Sequence, residues 1–254
     1  MPADLGFSIH GNGAKRVLVL HDWFSDRSGW DAALPYLTPE RFTYVFADLR
    51  GYGASREIEG VYTLDEAADD VIAAAARLGW EHFSLVGHSM SGLVVQRIAQ
   101  LVPNRIDRIV AVTPAPPASM GLDQPAIDFF RAMALANDEE RFSMLGPMWG
   151  ARLSETWIRY KLRRWRETAS PVAVAGYVEL WGRSDISEAA RGIETPMLIV
   201  AGEQDAPPFQ AAALEGSMLP YYPHSRLISL AGSGHYPMQE QPPLLAAEIE
   251  RFLE

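Results

Sequence analysis

The sequence contains no cysteine. That absence excludes disulfides, thiolate zinc sites and a cysteine nucleophile, and it leaves the redox compartment open. Basic residues are in the minority, 22 Lys and Arg against 32 Asp and Glu, for a formal charge of -10. A surface of that sign repels a phosphate backbone, so no nucleic-acid partner is expected. Long apolar runs are missing as well. Val17 to Leu20 and Ile109 to Val112 are among the longest, whereas a helix needs about 20 apolar residues to span a bilayer. The N-terminal stretch MPADLGFSIHGNGAKR lacks the basic segment and apolar run of a secretory signal. The expectation is a cytoplasmic protein without a membrane partner.

What is present is an ordinary globular composition, 48% hydrophobic and 21% charged over 254 residues. That length suits one large domain with a sizeable core. Short apolar runs alternate with longer helical patterns, which predicts a mostly parallel sheet with helices on both faces. Strands are predicted at Gly6 to His10, Arg16 to Leu20, Thr43 to Ala47, Phe83 to Gly87, Ile106 to Val112, Met197 to Ala201 and Arg226 to Leu230. Gly11-Asn12-Gly13 between the first two reads as a hairpin turn. Helices are predicted at Leu64 to Leu78, at Ser89 to Leu101 and at Leu244 to Leu253. The first has Thr63 as N-cap and Glu66 completing a capping box.

From Pro114 to about Asp185 no strand pattern occurs, and the stretch is helical and rich in aromatic and methionine side chains. The division expected is therefore a core made of 1–113 and 186–254, with a helical cap at 114–185. Within the cap, Ile158, Leu162 and Trp165 recur at helical spacing beside Arg159, Lys161, Arg163, Arg164 and Arg166. That pattern reads as an amphipathic helix with a charged outer face.

The chemistry concentrates at Gly87-His88-Ser89-Met90-Ser91-Gly92, between an apolar strand and an apolar helix. A sharp strand-to-helix turn there exposes the serine oxygen and requires small neighbours two positions away, which Gly87 and Ser91 are. Ser89 is the candidate nucleophile; the plainer alternative is a turn or N-cap serine. A serine hydroxyl needs a base. His235 is the candidate, in a glycine-rich loop after the last strand, whereas His82 and His224 read as surface residues. The base needs an acid to fix its tautomer. Asp205 follows the strand ending at Ala201, with Glu203 as nearest rival. Oxyanion donors are expected from the backbone N–H of Met90 and of Trp23, with Phe24 as the fallback. Candidates for lining a substrate pocket are Phe24, His88, Trp149, Trp157 and Tyr236. No spacing suggests a metal site, and the chemistry needs no cofactor.

Together, the Ser89 turn, the order Ser89, Asp205, His235, the loop at His21 and the segment Ala47-Asp48-Leu49-Arg50-Gly51-Tyr52-Gly53 resemble the α/β-hydrolase superfamily. The resemblance covers nearly the whole chain outside the cap. It implies an α/β-hydrolase fold, with Asp48 and Arg50 in structural roles. It also implies a serine hydrolase cleaving a carboxylic ester of a small, largely apolar molecule through an acyl-enzyme. Carbon–carbon hydrolysis, lactone opening, perhydrolysis and a slow-turnover receptor use the same triad and remain open. Epoxide hydrolases and haloalkane dehalogenases carry aspartate where this chain has Ser89. The segment from His21 to Trp30 and Ser91 are similar to small lid-bearing hydrolases of bacterial stress signalling and to plant karrikin and strigolactone receptors. Carboxylesterases and cofactor-independent haloperoxidase-like enzymes are about as similar. Asp22 departs from the glycine usual after the loop histidine.

Overall fold

The computed structural model describes residues 1–149 and 153–254, with the side chains of 144–149 outside that description. In chain order the elements begin β1 (Phe7–His10), β2 (Lys15–Leu20), β3 (Phe42–Ala47), α1 (Leu64–Arg77), β4 (Phe83–His88), α2 (Met90–Leu101) and β5 (Ile106–Val112). Five helices then intervene: α3 (Gln124–Leu135), α4 (Asp138–Trp149), α5 (Glu155–Thr168), α6 (Pro171–Gly176) and α7 (Val178–Arg183). The chain closes with α8 (Ser187–Ala190), β6 (Met197–Gly202), α9 (Ala211–Met218), β7 (Ser225–Leu230), α10 (Pro237–Glu240) and α11 (Pro242–Leu253). Among the described residues no helix is long and apolar enough to cross a membrane.

The strands form one seven-stranded sheet in the order β1-β3-β2-β4-β5-β6-β7. Only β1 runs antiparallel, and it pairs with β3 rather than with β2. Gly11-Asn12-Gly13 is therefore no hairpin turn. Its N–H groups bond across to Pro39 and Phe42 carbonyls, and β2 is enclosed by β3 and β4 instead. The central strands carry continuous apolar runs, such as Val17 to Leu20, Ile109 to Val112 and Met197 to Ala201, because both faces are covered there. Alternation still sorts them: Leu18, Leu85, Ile109 and Ile199 join the core cluster on one side. Val17, Val86, Val110 and Leu198 join that on the other.

Helix α1 starts as expected, with Thr63 Oγ1 accepting the Glu66 N–H at 3.2 Å. The reciprocal half of the capping box is displaced. Tyr62 has φ +58°, which turns two amides toward Glu66, and its carboxylate accepts from Val61 and Tyr62 at 2.9 and 2.8 Å.

Parallel strands bring their C-terminal ends to one edge, where crevices for ligands form in open α/β sheets. The segments after β2, β4, β6 and β7 meet there. Helix α2, which follows β4, is fastened by buried Gln96. Its Nε2 donates to Gly92 and Ala115 carbonyls, and its Oε1 accepts from Tyr222 Oη at 2.7 Å. Tyr222→Phe would leave that buried oxygen without a donor. The expected cost is about 1–3 kcal/mol, read as a lower midpoint of urea unfolding; an unchanged midpoint would show that the bond contributes nothing.

Candidate active site

Ser89 sits at the C-terminal tip of β4 with φ +54° and ψ -114°. A non-glycine residue held there costs about 1–3 kcal/mol, so its surroundings must enforce the turn. The Ser89 N–H donates to Val112 O at 2.9 Å, and Ser89 O accepts from Gly92 and Ala115 N–H at 2.9 and 3.0 Å. Gly87 makes the turn sterically feasible, since a Cβ there would lie 2.3 Å from the Ser91 carbonyl oxygen. Ser91 uses its hydroxyl to donate to His21 O, tying the turn to the loop after β2.

Three of the expected site residues form one hydrogen-bonded run. Ser89 Oγ lies 2.9 Å from His235 Nε2, and His235 Nδ1 lies 2.8 Å from Asp205 Oδ2. An ionised carboxylate only accepts, so Nδ1 carries the proton and Nε2 presents its lone pair to the serine hydroxyl. Burial alone would pull the imidazole pKa down. The Asp205 carboxylate, by charge and hydrogen bond, outweighs it and holds the pKa of His235 above the ordinary value. The loops of Asp205 and His235 approach closely because Gly202 ends β6, where a Cβ would lie 2.1 Å from Gly234 O. Glu203 points elsewhere and accepts from the Gly232 N–H at 2.8 Å.

Ser89 and His235 open on a cavity of about 310 Å³. Trp23, Phe24, Phe130, Trp181 and Phe209 supply its aromatic wall, with Met120 and Leu122 beside them, and among the described residues Asp205 and His235 are its ionisable lining. Trp23 and Met90 line the same cavity. The Phe24 N–H is engaged by Asp22 Oδ2 at 3.2 Å. Trp23 is held from two sides: its Nε1 donates to Val174 O of α6 at 2.7 Å, and its carbonyl accepts from Tyr52 Oη at 2.8 Å.

Of the residues considered for the pocket, Phe24 lines the cavity and three others do not. His88 is buried beside His235, its pKa pushed down to about 3, chiefly by burial. It is therefore neutral, and its Nε2–H donates to His235 O at 2.7 Å; Thr113 Oγ1 donates to the same carbonyl at 3.2 Å. His88, the last residue of β4, thus clamps the backbone of His235. Tyr236 is buried with its hydroxyl donating to Asp22 Oδ2 at 2.7 Å, and Trp157 packs edge-on against the Tyr236 ring. The Trp149 side chain lies outside the described residues. Asp48 and Arg50 hold turns together: Asp48 accepts from Arg27 and Ala54 N–H groups at 2.9 and 2.8 Å, and Arg50 pairs with Asp70 at 2.6 Å.

Helix α5 departs most from expectation. Ile158, Leu162 and Trp165 are buried, but so is Lys161. Position 161 falls inside that apolar stripe rather than on the outer face, and the helical phase of the sequence carried that signal. The ammonium lies 3.4 Å from Ser25 Oγ and 3.9 Å from the centroid of the Tyr236 ring. Asp22, where glycine is usual, is the nearby carboxylate. Burial would raise its pKa; Lys161 and hydrogen bonds from Ser25 and Tyr236 hold it well below the ordinary range. Among the described residues no cluster of three His, Asp or Glu is arranged to hold a metal ion.

A family model described as the alpha/beta hydrolase family matches residues 17–248. A bifunctional esterase/perhydrolase of Acinetobacter calcoaceticus is 29% identical over 86% of this chain and 84% of its own. A pimeloyl-[acyl-carrier protein] methyl ester esterase of Yersinia enterocolitica is 27% identical, over 98% of this chain and 97% of its own. Among solved structures, a thermophilic esterase from Thermogutta terrifontis superposes with a TM-score of 0.79 at 27% identity, covering 98% of this chain and 92% of that one. With its sheet order, its serine turn and this match over most of its length, the chain belongs to the alpha/beta hydrolase family.

Proposed function

We propose that this protein is a serine hydrolase cleaving carboxylic esters of small, largely apolar molecules through an acyl-enzyme. The observation that carries this reading is the Ser89–His235–Asp205 run, with its 2.9 and 2.8 Å spacings, at the wall of an aromatic cavity. The esterase names of two curated relatives support the choice of ester as the bond cleaved. The insertion 114–185 is read as a cap over a core of 1–113 and 186–254, since Met120, Leu122, Phe130 and Trp181 come from it to the cavity.

In this reading Ser89 Oγ attacks the ester carbonyl while its proton passes to His235 Nε2. Asp205 stabilises the imidazolium. The oxyanion is received by the Met90 and Trp23 N–H groups, a donor of that kind being worth about 3 kcal/mol in the transition state. The tetrahedral intermediate collapses, and the alcohol departs with the proton from His235. Water then attacks the acyl-enzyme, gives a proton to the same nitrogen, and the acid leaves as Ser89 is reprotonated. Perhydrolysis, favoured by the double activity named for one relative, uses the same acyl-enzyme with hydrogen peroxide in place of water.

Ser89→Ala is expected to lower turnover of p-nitrophenyl esters by about 10⁴-fold or more with unchanged circular dichroism; retained turnover would refute the nucleophile. The cavity predicts faster hydrolysis of the acetate and butyrate than of the decanoate. Trp181→Ala, by removing wall, should move that preference toward longer chains. A length profile unchanged by Trp181→Ala would place the acyl group elsewhere. His235 must be neutral to accept the proton, and its pKa is held above the ordinary imidazole value. As pH falls through that raised pKa the base becomes protonated, so kcat/KM should decline on the acid side with a midpoint above about 6.5. A midpoint below it would contradict the Asp205–His235 coupling.

A further inference from the structure

The mechanism above makes no use of Lys161, yet Lys161 is 1% exposed. Burying an ammonium is strongly unfavourable unless charge and hydrogen bonds compensate it. Here the compensation is a carboxylate shared with the active-site loops. Ser25 Oγ is 3.4 Å from Lys161 Nζ and donates to Asp22 Oδ1 at 2.5 Å. Tyr236 places its ring against the ammonium and donates its hydroxyl to Asp22 Oδ2 at 2.7 Å. Asp22 Oδ2 also accepts the Phe24 N–H. Two segments thus bond to one carboxylate, the loop bearing Trp23 and the residue after His235, and α5 of the insertion reaches it through Ser25 Oγ and the Tyr236 ring. None of these contacts reaches the substrate cavity through Lys161, which is not among its lining residues.

We propose that Lys161 is a positioning residue for ester hydrolysis: its ammonium, carried in on α5, acts through Ser25 Oγ and the Tyr236 ring on the Asp22 carboxylate that sets the oxyanion loop and the segment bearing His235. The proposal rests on the serine-hydrolase reading above. It also gives the buried Asp22 carboxylate, already hydrogen-bonded by Ser25, Tyr236 and Phe24, a cation in its surroundings. The insertion is then more than a roof, because its seating and the geometry of the catalytic loops are one arrangement. Arg164 reinforces the seating, donating to Ser28 Oγ at 2.9 Å on the same loop.

Among the described residues, the charged and titratable groups facing His235 are Asp205 beyond β6, His88 at the end of β4, Asp22 beyond β2, Lys161 on α5 and the adjoining Tyr236. Asp22 favours the imidazolium and Lys161 opposes it. The two ends of the pair should therefore move the base in opposite directions, which loss of packing alone would not do.

The test compares Lys161→Met, Asp22→Asn, the double variant, Tyr236→Phe and the exposed control Arg163→Met. Their kcat and KM are measured on p-nitrophenyl butyrate, and His235 is titrated by NMR in ¹⁵N-histidine-labelled protein. Lys161→Met should lower kcat by about 10- to 100-fold with KM within about twofold. It should also raise the His235 midpoint, because Asp22 stays ionised through Ser25, Tyr236 and Phe24. Asp22→Asn should lower that midpoint. The double variant should lose less in kcat than the product of the two single losses. Tyr236→Phe keeps the ring and deletes one bond to Asp22, so a several-fold loss in kcat is expected, and Arg163→Met should match the wild type. An unchanged kcat in folded Lys161→Met, or His235 midpoints that do not diverge, would overturn the proposal. If Lys161→Met does not fold, Tyr236→Phe and the double variant decide: wild-type kcat in both overturns it. Absence of Ser89-dependent turnover in the wild type overturns the hydrolase reading instead, and the histidine titration still decides whether Lys161 and Asp22 act on the base.

Discussion

The strained backbone at Ser89 is the constraint on which the site depends. A serine at φ +54° persists only where neighbouring bonds over-determine it. Here they come from the end of β5 through Val112, from the segment beyond it through Ala115, from the first turn of α2 through Gly92, and from the loop after β2 through Ser91 and His21. The parallel sheet makes this possible by delivering the ends of β2, β4, β5 and β6 to one edge. The turn exposes the hydroxyl, and the two segments carrying Asp205 and His235 approach it from β6 and β7, further along the same sheet.

Around that turn the protein balances buried charge rather than excluding it. His88 is kept neutral by burial and spends its proton on the backbone of His235. Asp205 is answered by His235, and Asp22 by Lys161 with two hydroxyl donors. Each carboxylate has a hydrogen-bonded or cationic counterpart, which is the condition for retaining ionised groups in a low-dielectric interior. The cavity itself is left to aromatic and apolar side chains, so an uncharged acyl group meets no unpaired charge there.

Much of this was legible in the sequence because it is written in local pattern. The strand positions followed from apolar runs bounded by turn residues, and the serine turn from small residues flanking Ser89. What stayed hidden depends on contacts between distant segments. Gly11-Asn12-Gly13 has the composition of a hairpin, but β2 is claimed by β3 and β4 and the turn opens. His88 resembled a pocket residue because it adjoins Ser89; it is instead buried against His235 and bonds its carbonyl. Lys161 was concealed among exposed arginines, although its phase with Ile158, Leu162 and Trp165 placed it on the buried stripe. Asp22 looked like an anomaly in the loop; its partners include Tyr236, far along the chain, and its carboxylate is influenced by Lys161, 139 positions further on.

The central claim is that Ser89 is an activated nucleophile, and covalent trapping tests it most directly. The folded protein is treated with a fluorophosphonate, digested, and the adduct mapped by mass spectrometry. The account predicts one phosphonyl group per chain, on Ser89, with its formation suppressed in His235→Ala. A folded wild type that remains unmodified, or an adduct mapped to a different residue, would contradict it.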